Sequence, residues 1–489
     1  LELISRATFV ETIAIIGGGF SGTLTAVNLA RLATRPLRVS VINSGHPAGR
    51  GVAYGTKRPE HLLNVAARNM SAFPDHPNHF LDWLRTRSEY ADLPDVVLRE
   101  VFAPRRVYGD YLRALALTYA VPVDSRNPVQ IEHVDDIAVD VAKRPGGATV
   151  ELASGKTIEV HRVVLATGNQ RPAPLPSGGA PFQHPAYFDN PWIDWDGHLS
   201  HSDQDVILLG TGLTMVDVFL TLSEMNWRGV IRAVSRNGLL PLSHFRGIEY
   251  PDFPPSDPEK LGLAGLVQRM ERHCVRLRQL GANPAICVDK LRPHTQRIWQ
   301  QFSQDEKRQF ATQYAARWNV MRHRIAEPIH ARLMEAISSG RLRVHKGRVV
   351  ALDDGGSKVR VTIEGEDSER TTLEGGVVVN CTGPQAGFSS GTDQLFKNLM
   401  GRGLVRADNL DMGIEVDAGF ETLGRDGQRS RCLYALGPLL RGSLWETTAV
   451  PELRGQAMRV AQLLLQDLHP TPAPATFTPT NADVIEYCI

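Results

Sequence analysis

Gly17, Gly19 and Gly22 stand at the G-x-G-x-x-G spacing, directly after an apolar run at 12–16 and before a helical run at 23–32. That order suits a pyrophosphate. A buried strand delivers the chain to glycines that allow a tight bend and close approach of backbone to phosphate. The following helix then offers its unpaired N–H groups to the negative charge. A second turn follows the apolar run 206–209, with Gly210 and Gly212 present and Met215 at the third glycine position. Two such turns predict two dinucleotide sites, and electron transfer from a nicotinamide to a flavin.

The strands after each turn carry the next chemical signal. The apolar run 37–42 completes a βαβ unit and ends at Asn43, where an acidic residue would ordinarily accept the ribose hydroxyls. An amide there predicts a weaker ribose contact. In the second unit the run 229–234 ends in Ser235-Arg236-Asn237. The planar fork of Arg236 suits an adenosine 2′-phosphate, which favours NADP, with NAD as the alternative. A solvated surface arginine is the competing reading.

The elements that must position these turns follow from pattern. Segments 49–56 and 61–71 combine glycines, amides and aromatics, as long functional loops do, and backbone donors there suit an isoalloxazine ring. Helices are expected around Phe80, Leu81 and Leu84 and over 108–119. Alternation with Gly-rich turns predicts β-meanders over 129–164 and 343–363, feeding apolar strands that end in Thr167-Gly168 and Thr382-Gly383. The fold class is therefore α/β, with two Rossmann-like dinucleotide-binding domains, the NAD(P) domain inserted in the FAD domain. The expected boundaries are 1–195 and 375–470 for the FAD domain, 196–374 for the NAD(P) domain, and 471–489 for a loose tail.

Residues 256–340 interrupt the α/β rhythm as a helical insertion, with helices expected over 266–280, 296–318 and 323–338. Arg292, His294, Arg297, Arg317, Arg322, His323 and Arg324 give it a basic face. This is either a solvated cap or an anion site over the flavin for a carboxylate substrate.

Composition narrows the partners. The chain has 489 residues, with 54 Lys and Arg against 53 Asp and Glu, a formal net charge of +1. That balance gives no broad pull towards nucleic acid or a membrane surface. No apolar run is long enough to span a bilayer, and no signal peptide is evident, so a cytoplasmic location is expected. Cys274, Cys287, Cys381, Cys432 and Cys488 show neither C-x-x-C nor metal-ligand spacing. Thiol–disulfide catalysis and a metal centre are therefore not expected.

Taken together, segments 17–22, 49–56, 63–71, 104–109, 210–217, 235–241, 322–324, 380–384 and 437–456 resemble the FAD/NAD(P)-binding proteins related to class B flavin monooxygenases, especially a bacterial branch of them. Some members of that branch resemble N-oxygenases that turn the amino group of an amino acid such as aspartate into a nitroso or nitro group. The resemblance implies that 433–438 and 442–456 return to the FAD domain. Gly437 would then approach the ribityl chain, and a helix starting near Val450 would point its N-terminus at the flavin. Pro438 replaces the Asp common after that glycine. Glu446 and Glu452 become candidates to orient substrate or ring. The Phe-Gly-His-aromatic string of the class is only partly matched, by His184 and Phe188, which disfavours Baeyer–Villiger chemistry.

Turns and resemblance together give a set of cofactor-binding candidates. Gly17, Gly19, Phe20, Ser21, Gly22 and Asn43 come from the first unit, and Arg50, Gly51, Tyr54, Asn64, Val65 and Met70 from the loops after it. Thr167, Gly168, Gly383, Gly437, Pro438 and Thr448 come from the strand ends and the C-terminal return. Gly210, Gly212, Leu213, Thr214 and Arg236 come from the second unit. No catalytic residue is assigned, because the cofactors carry the chemistry. The expected activity is that of an FAD-dependent, NADPH-using monooxygenase acting with molecular oxygen on a small polar, carboxylate or amino-acid-like substrate. The rivals are an NAD(P)H-dependent flavin reductase or dehydrogenase, and a non-catalytic redox sensor. Oligomeric state is left open.

Overall fold

The computed structural model describes residues 10–468, except 46, 121–127, 177–180, 194, 196–198, 200–202, 246–247, 386 and 392. The expected tail at 471–489 lies outside the described residues.

The first unit runs β1 (Glu11–Ile16), helix Phe20–Leu32 and β2 (Leu37–Ile42), with β1 and β2 parallel and in register from Glu11 and Leu37. Ile13, Ile15, Val39 and Val41 are buried, as expected of strands covered on both faces. Helix Arg105–Ala120 packs against the helix Phe20–Leu32 and leads to β3 (Val129–Val134). The alternation at 129–134 predicts a meander strand. β3 instead pairs in parallel with β2 at the sheet edge, where one open side produces the same alternation. The meander itself is β4 (Ala138–Arg144), β5 (Gly147–Leu152) and β6 (Thr157–Val160), followed by β7 (Arg162–Leu165) in the main sheet.

The second unit comprises β8 (Tyr187–Phe188), β9 (Val206–Leu209), helix Leu213–Glu224 and β10 (Ile231–Ser235). After the insertion come β11 (Leu342–Lys346), the meander β12 (Arg348–Asp354), β13 (Val359–Glu364) and β14 (Arg370–Gly375), then β15 (Val377–Asn380). Here too the first strand expected in the meander, β11, is parallel to β10, and the meander extends to Gly375. The chain finally returns through β16 (Glu421–Leu423), β17 (Arg429–Ala435) and helix Val450–Leu468.

The two main sheets run in the orders β16-β17-β7-β1-β2-β3 and β11-β10-β9-β15-β8, and each meander forms its own three-stranded sheet. Both expected domain boundaries shift. β15 lies after 375 and β8 before 195, yet both hydrogen-bond within the second sheet. The physical reason is pairing. The four-residue apolar β15 is fully buried only when flanked by β9 and β8.

The insertion forms Gly262–Gln279, Ile286–Leu291, Thr295–Gln301, Gln304–Gln309, Ala315–Arg322 and Glu327–Ser338. The helix expected over 296–318 is broken. Phe302 is extended, and Ser303 with Glu306 forms a capping box that starts a new helix. A π-helical turn, Phe310–Tyr314, follows. The helix expected from 323 begins at Glu327, because His323 has a non-helical backbone and Pro328 suits a first turn.

Candidate functional site

The two glycine turns are built alike. Gly17 has φ +108°, and a Cβ there would lie 2.3 Å from the Ala166 carbonyl oxygen. Gly210 has φ +118°, and its Cβ would lie 2.3 Å from the Cys381 carbonyl oxygen. Each first glycine thus accommodates the strand end that carries the Thr-Gly pair. Gly22 packs against the Gly17 carbonyl, where a Cβ would come within 1.9 Å. Gly19 and Gly212 differ. A Cβ on Gly19 would meet only Gly51 Cα, at 3.6 Å, and one on Gly212 would meet nothing within 4 Å. Both glycines cap helices that have no side-chain cap, so N–H groups face open space of the kind a pyrophosphate fills.

Around the first turn, Asn43 Oδ1 accepts the Gly18 N–H at 3.1 Å. The amide therefore helps to shape the loop. The Gly49 N–H donates to the Gly18 carbonyl, which lays Arg50 and Gly51 against the turn. Arg50 is ion-paired to Asp110. Phe20 and Ser21 are buried in the first turn of the helix. Thr167 Oγ1 is buried without a hydrogen-bond partner among the described residues, and Gly168 beside it has φ +76°. Gly437, with φ +80°, lies against Ser21, and its N–H donates to Gln456 Oε1 at 2.9 Å. Pro438 follows it in a short 3-10 turn. The orphaned Thr167 hydroxyl, the open Gly19 cradle and the uncapped helix fit a dinucleotide.

A cavity of about 560 Å³ opens between the two sheets. Of the cofactor candidates it is lined by Tyr54, Asn64, Val65, Met70, Gly212, Leu213, Arg236 and Thr448. Gly17, Gly22, Asn43 and Gly437 are outside its lining, as are Thr214, at the start of the second helix, and Gly383, which has φ +82°. Arg236 is exposed, beside a Thr211–Ser235 hydroxyl contact of 2.8 Å. Burial pushes the Tyr54 phenol up to about 12, so it remains a neutral hydrogen-bond donor at pH 7. None of the four described cysteines lines the cavity.

The insertion gives the cavity a charged end. Of its basic residues, Arg297 and Arg317 are exposed, and Arg324 pairs with Asp289 at 2.9 Å. His294 contacts Arg297 on the outside. Arg292 forms two hydrogen bonds to Glu452, at 2.9 and 3.1 Å. Arg322 and His323 line the cavity itself. Arg322 is 8 % exposed, and its Nε and Nη2 lie 3.4 Å from Glu446 and 3.6 Å from Glu452 without a hydrogen bond to either. Burial, and then the neighbouring Arg292, lower its pKa. His323, half-buried in the cavity wall, is pushed down to about 3 by desolvation and then by the neighbouring Arg322, Arg292 and Arg441, and is neutral. Arg441 adds a third cation, also lowered by burial. Glu446 accepts from Trp318 Nε1 at 2.9 Å.

Arg441, Trp318, Trp445 and Gln456 were not singled out from the sequence. Trp318 and Arg322 stand four apart and share a helix face, a signal the basic pattern obscured. Arg441 and Trp445 carry no such signal. Asp217 lies near the start of the helix Leu213–Glu224. It joins Arg105 across the seam at 2.6 Å, and His61 reaches the same helix through Asp217 O and Thr221 Oγ1.

Residues 14–170 match the family model described as FAD-NAD(P)-binding. The whole architecture is found in solved structures. The fold is that of a two-dinucleotide-binding flavoprotein. L-lysine 6-monooxygenase from Pseudomonas syringae superposes with a TM-score of 0.65 at 15% identity, covering 93% of this chain and 99% of that one. The ornithine N-hydroxylase of Kutzneria sp. 744 gives 0.63 at 15% identity, covering 93% and 98%. A bacillithiol disulfide reductase from Staphylococcus aureus gives 0.54 at 13% identity, covering 93% and 98%. No curated protein matches the chain. No helix among the described residues is long and apolar enough to cross a membrane.

Proposed function

We propose that this protein is an FAD-dependent, NADPH-using monooxygenase that N-oxygenates a small amine carrying a carboxylate. The observation that carries the reading is the cavity, which is lined from both nucleotide units and ends in the buried Arg322, whose Nε and Nη2 make no hydrogen bond. The FAD side would be held by Gly19, Gly51, Thr167 and Gly437, and the NADP side by Gly212, Leu213 and Arg236. When bound, the nicotinamide supplies hydride and the flavin relays the electrons to molecular oxygen.

The chain's own residues bind and orient. Two arginines, Arg322 and Arg441, line the cavity end against one lining carboxylate, Glu446, so the lining there is positive. A substrate carboxylate restores the balance and satisfies the Arg322 donors. Glu446 then faces the amino end. The fold is shared by an ornithine N-hydroxylase and an L-lysine 6-monooxygenase, which supports an amine substrate, and the position of the described cysteines away from the cavity disfavours thiol–disulfide chemistry.

The test is NADPH consumption by FAD-loaded protein with glycine, L-aspartate, L-glutamate and L-ornithine, scoring N-oxygenated product against hydrogen peroxide. Product from an acidic amine supports the proposal. Peroxide alone, whatever the amine, replaces it with a flavin reductase, and absence of NADPH oxidation replaces it with a redox sensor.

A further inference from the structure

Trp445 has φ 60° and ψ −73°, in the left-handed half of the backbone map, where a bulky side chain is rarely found. The Glu446 N–H donates to the Leu444 carbonyl at 2.8 Å, closing a three-residue γ-turn about Trp445. Turns of this hand are rare and strained, and persist only where the surroundings over-determine them.

The surroundings here are aromatic. The Trp445 ring lies 4.9 Å from Trp299 and 5.0 Å, edge-on, from Phe310, centroid to centroid. Phe310 contacts Trp318 at 5.9 Å and opens the π-helical turn, a distortion frequent at functional sites. Trp299 Nε1 also donates to the Gly442 carbonyl at 2.8 Å. The residue after the wedge is fixed just as closely. Trp318 Nε1 holds the Glu446 carboxylate, and Gln296 Nε2 holds its main-chain carbonyl at 2.6 Å.

We propose that Trp445 is a positioning residue: wedged into the aromatic stack of the helical insertion, it aims the Glu446 carboxylate into the cavity to receive the amino group of the substrate. The inference rests on the reading of the cavity as the substrate site. It gives the insertion a role in substrate recognition through Trp299, Phe310 and Trp318, which lie outside the cavity lining, while Trp445 itself stands in that lining.

The test uses FAD-loaded Trp445→Gly, Trp445→Phe and Trp318→Phe. Glycine accepts positive φ without strain, so Trp445→Gly removes the wedge while easing the backbone. Phenylalanine keeps a ring in the stack. The expected result for Trp445→Gly is faster amide hydrogen exchange over 444–449 and a KM for the amine raised about tenfold, the scale of one displaced hydrogen bond. KM for NADPH and FAD content should stay unchanged. Trp445→Phe should restore wild-type exchange, and Trp318→Phe should raise the amine KM alone. Unchanged exchange in Trp445→Gly overturns the inference, as does parallel loss of FAD and NADPH binding. If the wild-type protein oxidises no amine, the proposed function falls, while the exchange result still decides whether Trp445 positions Glu446.

Discussion

Arg105 Nη1 donates to Asp217 Oδ2 at 2.6 Å, binding the helix Arg105–Ala120 of the first unit to the helix Leu213–Glu224 of the second. Both side chains are largely buried, at 13% and 6% exposure, so each is the other's main compensation. Removing one partner leaves a desolvated charge, which costs about 3 kcal/mol or more. Arg105→Ala should therefore lower the thermal midpoint by several degrees. Arg105→Met with Asp217→Leu should recover much of that loss. Equal midpoints for the single and double variants would show that the pair does not hold the seam.

The glycines separate folding from cofactor binding. Gly17→Ala should compromise folding, because its Cβ would meet the Ala166 carbonyl and its φ is positive. Gly19→Ala has room in the protein and should fold with an unchanged circular dichroism spectrum while losing FAD absorbance. A Gly19→Ala protein that purifies fully yellow would remove the phosphate from that turn.

Arg236→Ala should raise KM for NADPH by about 10–100-fold, the range for a charge-assisted pair, and leave KM for NADH nearly unchanged. Steady-state kinetics with both coenzymes decide it. An equal rise for both would mean that the side chain does not read the 2′-phosphate.

Arg322 should carry both function and stability. Arg322→Met removes the cation 3.4 Å from Glu446 and 3.6 Å from Glu452, so the thermal midpoint should fall. Binding of the carboxylate substrate should be lost, by calorimetry on the FAD-loaded protein. Unchanged affinity would place the carboxylate elsewhere.

Two histidines predict acid sensitivity. His323 and His244 are pushed down to about 3 and about 4, chiefly by burial, against an ordinary value of 6.5. Between those values the unfolded chain binds more protons than the folded one. Stability is therefore complete above about pH 6.5 and falls as the pH drops, by about 1.4 kcal/mol per pH unit for each histidine. Thermal midpoints from pH 7 to 5 should fall, and His323→Gln should flatten the profile. A wild-type profile flat over that range would contradict the burial of these rings.

The parallel strands were legible because hydrophobic runs next to glycine turns have few other solutions. β2 falls at the expected 37–42. The helix after the first turn starts at Phe20 rather than 23, since Gly19 serves as its cap. Edge strands were misread where β3 and β11 alternate as meander strands do. In the insertion, helical tendency showed but the break at Ser303 did not, although the Ser-x-x-Glu signal was present. The inward turn of Arg322 depends on neighbours from Glu446 and Glu452, over a hundred residues away, and no local pattern records such a partner.

The first sheet is completed late. β7 leaves it at Leu165, and β17, its partner, is not reached until Arg429. The strands of the second sheet from β8 to β15, and the insertion, are translated in the interval. As the ribosome releases the chain, the second unit can therefore close while the first still lacks β16, β17 and the helix Val450–Leu468. Domains fold as units during synthesis, so the inserted one should mature first. Gly437 and Gln456 arrive only with that last segment. Stable flavin capture should accordingly be one of the final events in the birth of the molecule.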